Sequence, residues 1–395
     1  MPYFPESTAS SNVIGTRQRS ARPGAVQLPV GFVFDYNTYF PWQVWQQADG
    51  GYKHNVDVRQ MISANLFSSA TNMYLSTAGS DANNGTTWAL AKLTLAGAIA
   101  TINTNAVPAI LNVQRGIYYS STTDMTRPTQ PIAIIGVGGQ AIFSASVSGG
   151  VGTWTLSSGS TVVYENTESG VGNVIDRINL TANGFMQPYT YASFPAGAGN
   201  AAITYLESHP GYWANVSGVV YQSRVDALQP TDANTLVIKN GADPLIKMTT
   251  SGDMYLENIT TWGGAADDDG GWLLDGNATG VFAAKNSSVM FAGSRGATQI
   301  STRGVCVENI KACYLQNVTI FHITNDGYNA HEISAIEPIT VLVDCHISDC
   351  GYGTLTANQC VTLHDGCKGI IIGASSTAVR APLSAASMWI PSCGQ

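Results

Sequence analysis

Three short acidic stretches hold most of the side chains that could do chemistry. Asn325–Glu332 reads NDGYNAHE and supplies Asp326, His331 and Glu332 within eight residues. LHDG at 363–366 supplies His364 and Asp365, and ADDDGG at 266–271 supplies Asp267, Asp268 and Asp269. Two carboxyl groups, one donating a proton and the other activating water or attacking directly, are what glycoside hydrolysis needs. Packed carboxylates repel, so one is kept protonated and able to donate. Trp262, Trp272, Tyr328 and Tyr352 add aromatic faces on which sugar rings can stack.

Each feature has a plainer reading. Asp-Gly at Asp326–Gly327 and Asp365–Gly366 is ordinary turn chemistry. His331 and His364 can cap a carbonyl or fill a core position, and the aromatics can be packing. Asp267, Asp268 and Asp269 can be a solvated loop or a calcium site of oxygen ligands; no other cofactor is expected. What favours chemistry is that most of the His and acidic clusters fall within a few adjacent repeats.

The elements that position these residues follow from composition and periodicity. Only 11% of the 395 residues are charged, whereas Gly occurs 41 times, against roughly 25% charged residues in an average soluble chain. Such a chain suits stacked β structure with many turns rather than long helices. The net charge is −8 and the pI about 5.1. With no basic run, nucleic acid is not an expected partner. No apolar run reaches the roughly 18 residues of a membrane span, so no membrane insertion is expected. The first residues lack the apolar core of a secretory signal. That predicts a protein that stays in the cytoplasm or leaves by a route such as lysis, the alternative being a signal already removed. All seven cysteines lie at or after Cys306 without metal-type CxxC pairs, and buried free thiols are expected, with a disulfide the alternative.

Residues 1–73 read as an N-terminal arm followed by a dense aromatic cap. The cap is either a small packed unit or a docking surface. Residues 74–395 read as one repeat domain. MYLENIT, FAAKNSSV, CYLQNVTI and VLVDCHIS resemble one another, and aligning Asn258, Asn286, Asn317 and Cys345 gives steps of 28, 31 and 28 residues. One such unit cannot bury its apolar face, but stacked units share a core. The expected fold is all-β, a right-handed single-stranded parallel β-helix (a solenoid) with a short capping helix. Stacking at about 4.8 Å would turn equivalent positions into columns. Asp267, Arg295 and Asp326 each lie nine residues after a repeat Asn. They would form one such column, with Arg295 as a substrate-binding group.

YLSTAGSDANNGTTWALAKLTLAGAI at 74–99 resembles the entry motif of right-handed parallel β-helix proteins of the pectate-lyase-like superfamily. DGYNAH at 326–331 with LHDG resembles paired motifs of bacteriophage tail spikes and tail fibres. The resemblance spans roughly residues 74–373, and the chain departs from it by ending about thirty residues after Gly366. It implies a virion protein, or otherwise a secreted one, that binds and hydrolyses a host surface polysaccharide (a depolymerase). It further implies attachment to other tail proteins through the N-terminal region, and a homotrimer. Catalytic roles would fall to Asp326, Glu332, His331, His364, Asp365 and Asp267, and substrate contacts to Arg295, Trp262, Trp272 and Tyr328. The alternatives are a polysaccharide lyase and a non-catalytic receptor-binding or structural fibre.

Overall fold

The computed structural model describes residues 41–42, 44–46, 52–119, 127–146, 153–168, 170–182, 184–241, 244–248, 252–265, 270–275, 279–293, 302–331, 338–351, 360–363 and 367–372, with short strands at 375–376, 379–380 and 387–390. After the short antiparallel pair Val44–Gln46 and Tyr52–His54, three strands open the main sheet, Thr71–Leu75, Ala109–Tyr119 and Ile132–Ser144, all pairing in parallel. Between the first two of the three lies the helix Leu95–Asn105, which buries Leu95, Ala98, Ile99 and Ile102. Thr94 caps it by accepting from the Gly97 N–H, at 3.0 Å. Asp81 accepts from the Leu93 and Thr94 amides and the Thr94 hydroxyl, so the Ser-Asp loop is tied to the helix start.

The long strand Ile132–Ser144 is where the sheet divides. Its first half pairs with Met254–Glu257 and its second half with Ile259–Trp262. From there two limbs of one 14-stranded sheet run in parallel. The first limb continues through Val281–Lys285, Ala312–Gln316, Ile339–Val343 and Lys368–Ile372. The second continues through Ser288–Met290, Thr319–Ile323 and His346–Cys350. Between the limbs stands one left-handed residue per repeat: Asn258, Asn286, Asn317 and Asp344, with φ of 56°, 51°, 52° and 51°. Asn and Asp tolerate this region best among non-glycine residues, and the Asn317 amide donates to the Asn286 side chain at 2.9 Å. The fourth member of the repeat is therefore Asp344, not Cys345, and the last step is 27 residues.

A separate six-stranded parallel sheet faces this curled one, in the order Ile246–Met248, Gly270–Asp275, Arg303–Glu308, Tyr328–Ala330, Val361–Leu363 and Val379–Arg380. Core residues of both sheets form one large cluster that includes Trp272, Phe282, Ile320, Tyr328 and Leu342. The expected single-stranded right-handed β-helix solenoid is thereby corrected. The chain is all-β, but its parallel strands form a curled half-barrel and several sheets. The stack is also interrupted by a largely antiparallel unit. The repeats share a period without sharing one ribbon, because each bends at a left-handed residue between the two limbs and then continues into a strand of the six-stranded sheet.

The interrupting unit spans Thr155–Leu156 to Thr235–Gly241 and carries the helix Gly199–Glu207. It leans on the second limb through Phe185, whose ring lies 4.7 Å from that of Phe321. Asn173 donates to the Phe291 and Gly293 carbonyls at the same seam. Its centre is the buried Arg224, which donates to Asp226 (2.8 Å), the Tyr189 hydroxyl (3.1 Å) and the Asn234 carbonyl (2.9 Å). The Arg224 guanidinium holds the Asp226 carboxyl below its ordinary value. A depressed carboxylate stabilises the fold above the unfolded value, about 3.9, and that contribution is lost as pH falls through the folded value. Near-ultraviolet dichroism of Trp213 and Trp154 should therefore fade on acidification below about pH 4. Asp226→Asn should remove part of that pH dependence.

The first limb is buried on both faces because the N-terminal segment covers it. Trp42, Val56, Val58, Ile62 and Leu66 pack on Tyr255, Ala283, Tyr314, Val341 and Ile370, with Trp42 edge-on to Tyr314 at 6.0 Å. Of the aromatic region, Trp42 is the aromatic residue whose side chain is described, and it is packed; the remaining rings lie outside the described side chains. Polar contacts hold the same segment to successive repeats: His54 to Asp344 (2.8 Å), Asp57 to Lys285 (3.0 Å) and Arg59 to Glu257 (3.4 Å). Gln316 holds the centre, donating to the Val56 carbonyl at 2.7 Å and accepting from the Val58 amide at 3.2 Å. Gln316→Ala should cost about 1–3 kcal/mol, since both backbone groups lose their partner. Faster amide exchange confined to residues 52–68 would report it, and uniform exchange across the chain would contradict it.

Candidate active site

Side-chain alternation along the six-stranded sheet sorts its residues into two faces. Trp272, Val305, Tyr328 and Val361 are in register and point into the core. The next column, Leu273, Cys306, Asn329 and Thr362, lies on the opposite face of the sheet, where it too is buried. At the strand ends a second column on that face places Asp275 beside Glu308. One residue beyond the Val307–Ala330 pair, the same register sets His331 beside Glu308, and the His331 amide donates to the Val307 carbonyl at 2.9 Å. Asp275 is exposed, and Glu308 and His331 are half-buried.

Three features tune this corner. The Cys306 thiol donates to Glu308 Oε1 at 3.3 Å, fixing that carboxyl's orientation. Arg303 Nη1 approaches Cys306 Sγ at 3.6 Å. Burial pushes the Cys306 thiol well above its ordinary value, although nearby Arg303 pulls the other way. A neutral thiol is a poor nucleophile, so Cys306 is a hydrogen-bond donor here rather than an attacking group.

The residues expected to act are distributed differently. His331 lies in the column. Asp326, in the bend just before the strand Tyr328–Ala330, is 4% exposed and accepts from the Asn329 side chain. It aligns with Arg303, since its carbonyl accepts from the Gly304 amide. That leaves it five strand positions, roughly 16 Å, from the level of Glu308, too far for a carboxyl pair. Trp262, Trp272 and Tyr328 are 6%, 0% and 0% exposed. Trp272 donates to Thr261 at 3.0 Å and the Tyr328 hydroxyl meets Thr340 at 2.8 Å. These rings pack the core and offer no face to a sugar. Glu332, His364, Asp365, Asp267, Asp268, Asp269, Arg295 and Tyr352 lie outside the described residues, and so does the column drawn through Asp267 and Arg295.

Asp275, Glu308 and Cys306 were missed. The available signal was the repeat itself. GVCVEN and GYNAHE align as consecutive short-sheet strands, and that alignment places Glu308 level with His331.

No family model matches the chain, and no curated protein sequence matches it significantly. Among solved structures, one described as a glycoside hydrolase superposes with a TM-score of 0.38 and 8% identity, covering 81% of this chain and 96% of that one. A complex of XylC with xylose gives 0.43 and 12%, covering 78% of this chain and 62% of the other. Neither is described as a phage tail spike. The resemblance to tail spikes and to pectate-lyase-like helices is corrected by the curled, several-sheet fold. At these scores the likenesses carry no argument about chemistry, which rests on the column itself.

Proposed function

We propose that the chain is a carbohydrate-active hydrolase whose paired carboxyl groups are Asp275 and Glu308. The observation that carries this reading is their direct pairing across neighbouring parallel strands, at strand ends where Asp275 is exposed and Glu308 half-buried. Adjacent strands lie about 4.8 Å apart, and retaining glycosidases hold their two carboxyl groups about 5–5.5 Å apart. Glu308, aimed by the Cys306 thiol, attacks the anomeric carbon. Asp275, open to solvent, gives its proton to the departing glycosidic oxygen as that bond breaks. In the second half Asp275 takes a proton from water, whose oxygen displaces Glu308, so both groups are restored and configuration is retained.

The test is a panel of polysaccharides scored for new reducing ends, with the anomeric configuration of the first product read by NMR. Retained configuration is expected. Inverted product would remove the pairing argument, and an unsaturated product absorbing in the ultraviolet would replace hydrolysis with elimination.

A further inference from the structure

We propose that Cys306, Glu308 and His331 bind a divalent transition-metal ion of the zinc type. One potential ligand atom from each residue lies within 4.8 Å of the other two. Cys306 Sγ and Glu308 Oε1 are already 3.3 Å apart. Metal–ligand distances of about 2.3 Å to sulfur and about 2.0–2.2 Å to oxygen, set at a tetrahedral angle, separate two ligands by about 3.5 Å. The pair therefore needs almost no movement to share one ion. Cys306 and Glu308 are two apart on one strand and so share a face, and His331 comes from the neighbouring strand at the same level. A rigid sheet, rather than a loop, sets the bite.

The donor set also selects the ion. Thiolate and imidazole suit zinc, whereas calcium and magnesium prefer all-oxygen shells. Arg303, 3.6 Å from the sulfur, can donate to the thiolate once it forms, an outer contact of the kind that orients ligands. On binding, the metal–sulfur bond replaces the S–H bond and the thiol proton passes to water, with no change of oxidation state. Three protein ligands leave a fourth position for water.

The proposal goes beyond the hydrolase reading and does not rest on it, but the two meet at Glu308. A metal-bound Glu308 cannot attack a sugar, so a loaded site would hold the hydrolase idle.

The experiment uses the full chain, stripped with a chelator and titrated with Co²⁺ alone, then with Zn²⁺ as competitor. One equivalent of Co²⁺ should produce tetrahedral visible bands and a thiolate-to-cobalt charge-transfer band, both erased by one equivalent of Zn²⁺. Cys306→Ser should remove the charge-transfer band. His331→Ala should weaken Co²⁺ binding by at least the roughly 10–100-fold that even outer-shell changes cost. Far-ultraviolet dichroism checks that each variant is folded, and the conservative His331→Asn substitutes if His331→Ala is not. Absence of the charge-transfer band in the parent protein, or its persistence in Cys306→Ser, overturns the proposal. None of these readouts is glycan cleavage, so failure of the hydrolase reading leaves the result interpretable.

Discussion

Glu308→Gln should lower glycan cleavage by on the order of 10³-fold while leaving the fold intact. The lower bound follows from the roughly 10²–10⁴-fold that a positioned acid or base contributes. Loss of a nucleophile is at least as severe, because the covalent route closes. The side chain is half-buried at a strand end and its one described partner is the Cys306 thiol, which an amide oxygen can still accept from. Asp275→Asn should produce a loss of similar size, and the double variant should be little worse than the poorer single one, since groups that act as a unit are not additive. Asp326→Asn gives the contrast. That carboxyl is buried, accepts from Asn329 and stands far from Glu308, so its replacement should lower the melting midpoint and leave turnover per folded molecule nearly unchanged. Initial rates by reducing-end assay, normalised to folded protein, separate the two. If Asp326→Asn were inactive and Glu308→Gln within threefold of the parent, the strand-end column would not be the catalytic centre.

Gly304→Val should be among the most destabilising single substitutions in the chain, by about 3 kcal/mol or more. The short sheet passes close to the second limb at Gly271, Gly304 and Gly327, which follow one another in register. A Cβ on Gly304 would sit 2.4 Å from the Gly327 carbonyl oxygen and 2.6 Å from Ile320 Cγ2. On Gly327 it would meet the Cys360 carbonyl oxygen at 2.7 Å and Ile347 Cγ2 at 2.6 Å. Backbone oxygens fixed in a ladder cannot retreat as a side-chain end can. None of these three glycines has positive φ, so space, not conformation, selects them. Gly138 is the control: its φ is 80°, with nothing within 4 Å of an added Cβ, so Gly138→Ala should cost only the roughly 1–2 kcal/mol of a left-handed alanine. Urea midpoints at unchanged m-value would rank the two. Equal costs would show that close approach is not what the glycine column serves.

That column explains what was legible in the sequence and what was not. The spacing of Asn258, Asn286 and Asn317 gave the period correctly, because left-handed corners need Asn at fixed intervals. It could not show that each repeat bends and feeds two sheets, since strands of both sheets have the same short aliphatic pattern. Asp326–Gly327 does lie in the bend between the strands Thr319–Ile323 and Tyr328–Ala330, but spacing could not show that Gly327 is held there by close packing and that Asp326 is a buried acceptor. Trp262, Trp272 and Tyr328 were read as a sugar platform because aromatic type carries no sign of face, and only register shows that they point inward. His331 falls in the strand-end column because it follows the core-facing Ala330. Cys306 and Glu308 stayed hidden because spacing rules look along the chain, whereas their partners Asp275 and His331 lie across strands.

The N-terminal segment carries a consequence for how the molecule comes apart. In a stack of repeats each unit touches only its neighbours, so the far end can fray while the rest persists. Here a single stretch, His54 to Arg59, is fastened in turn to Asp344, Gln316, Lys285 and Glu257. Peeling the outermost of these repeats loosens the fastening on the innermost. Melting of the four becomes one concerted event, and a progressively unzipping array is turned into an all-or-none body by a splint laid along its side.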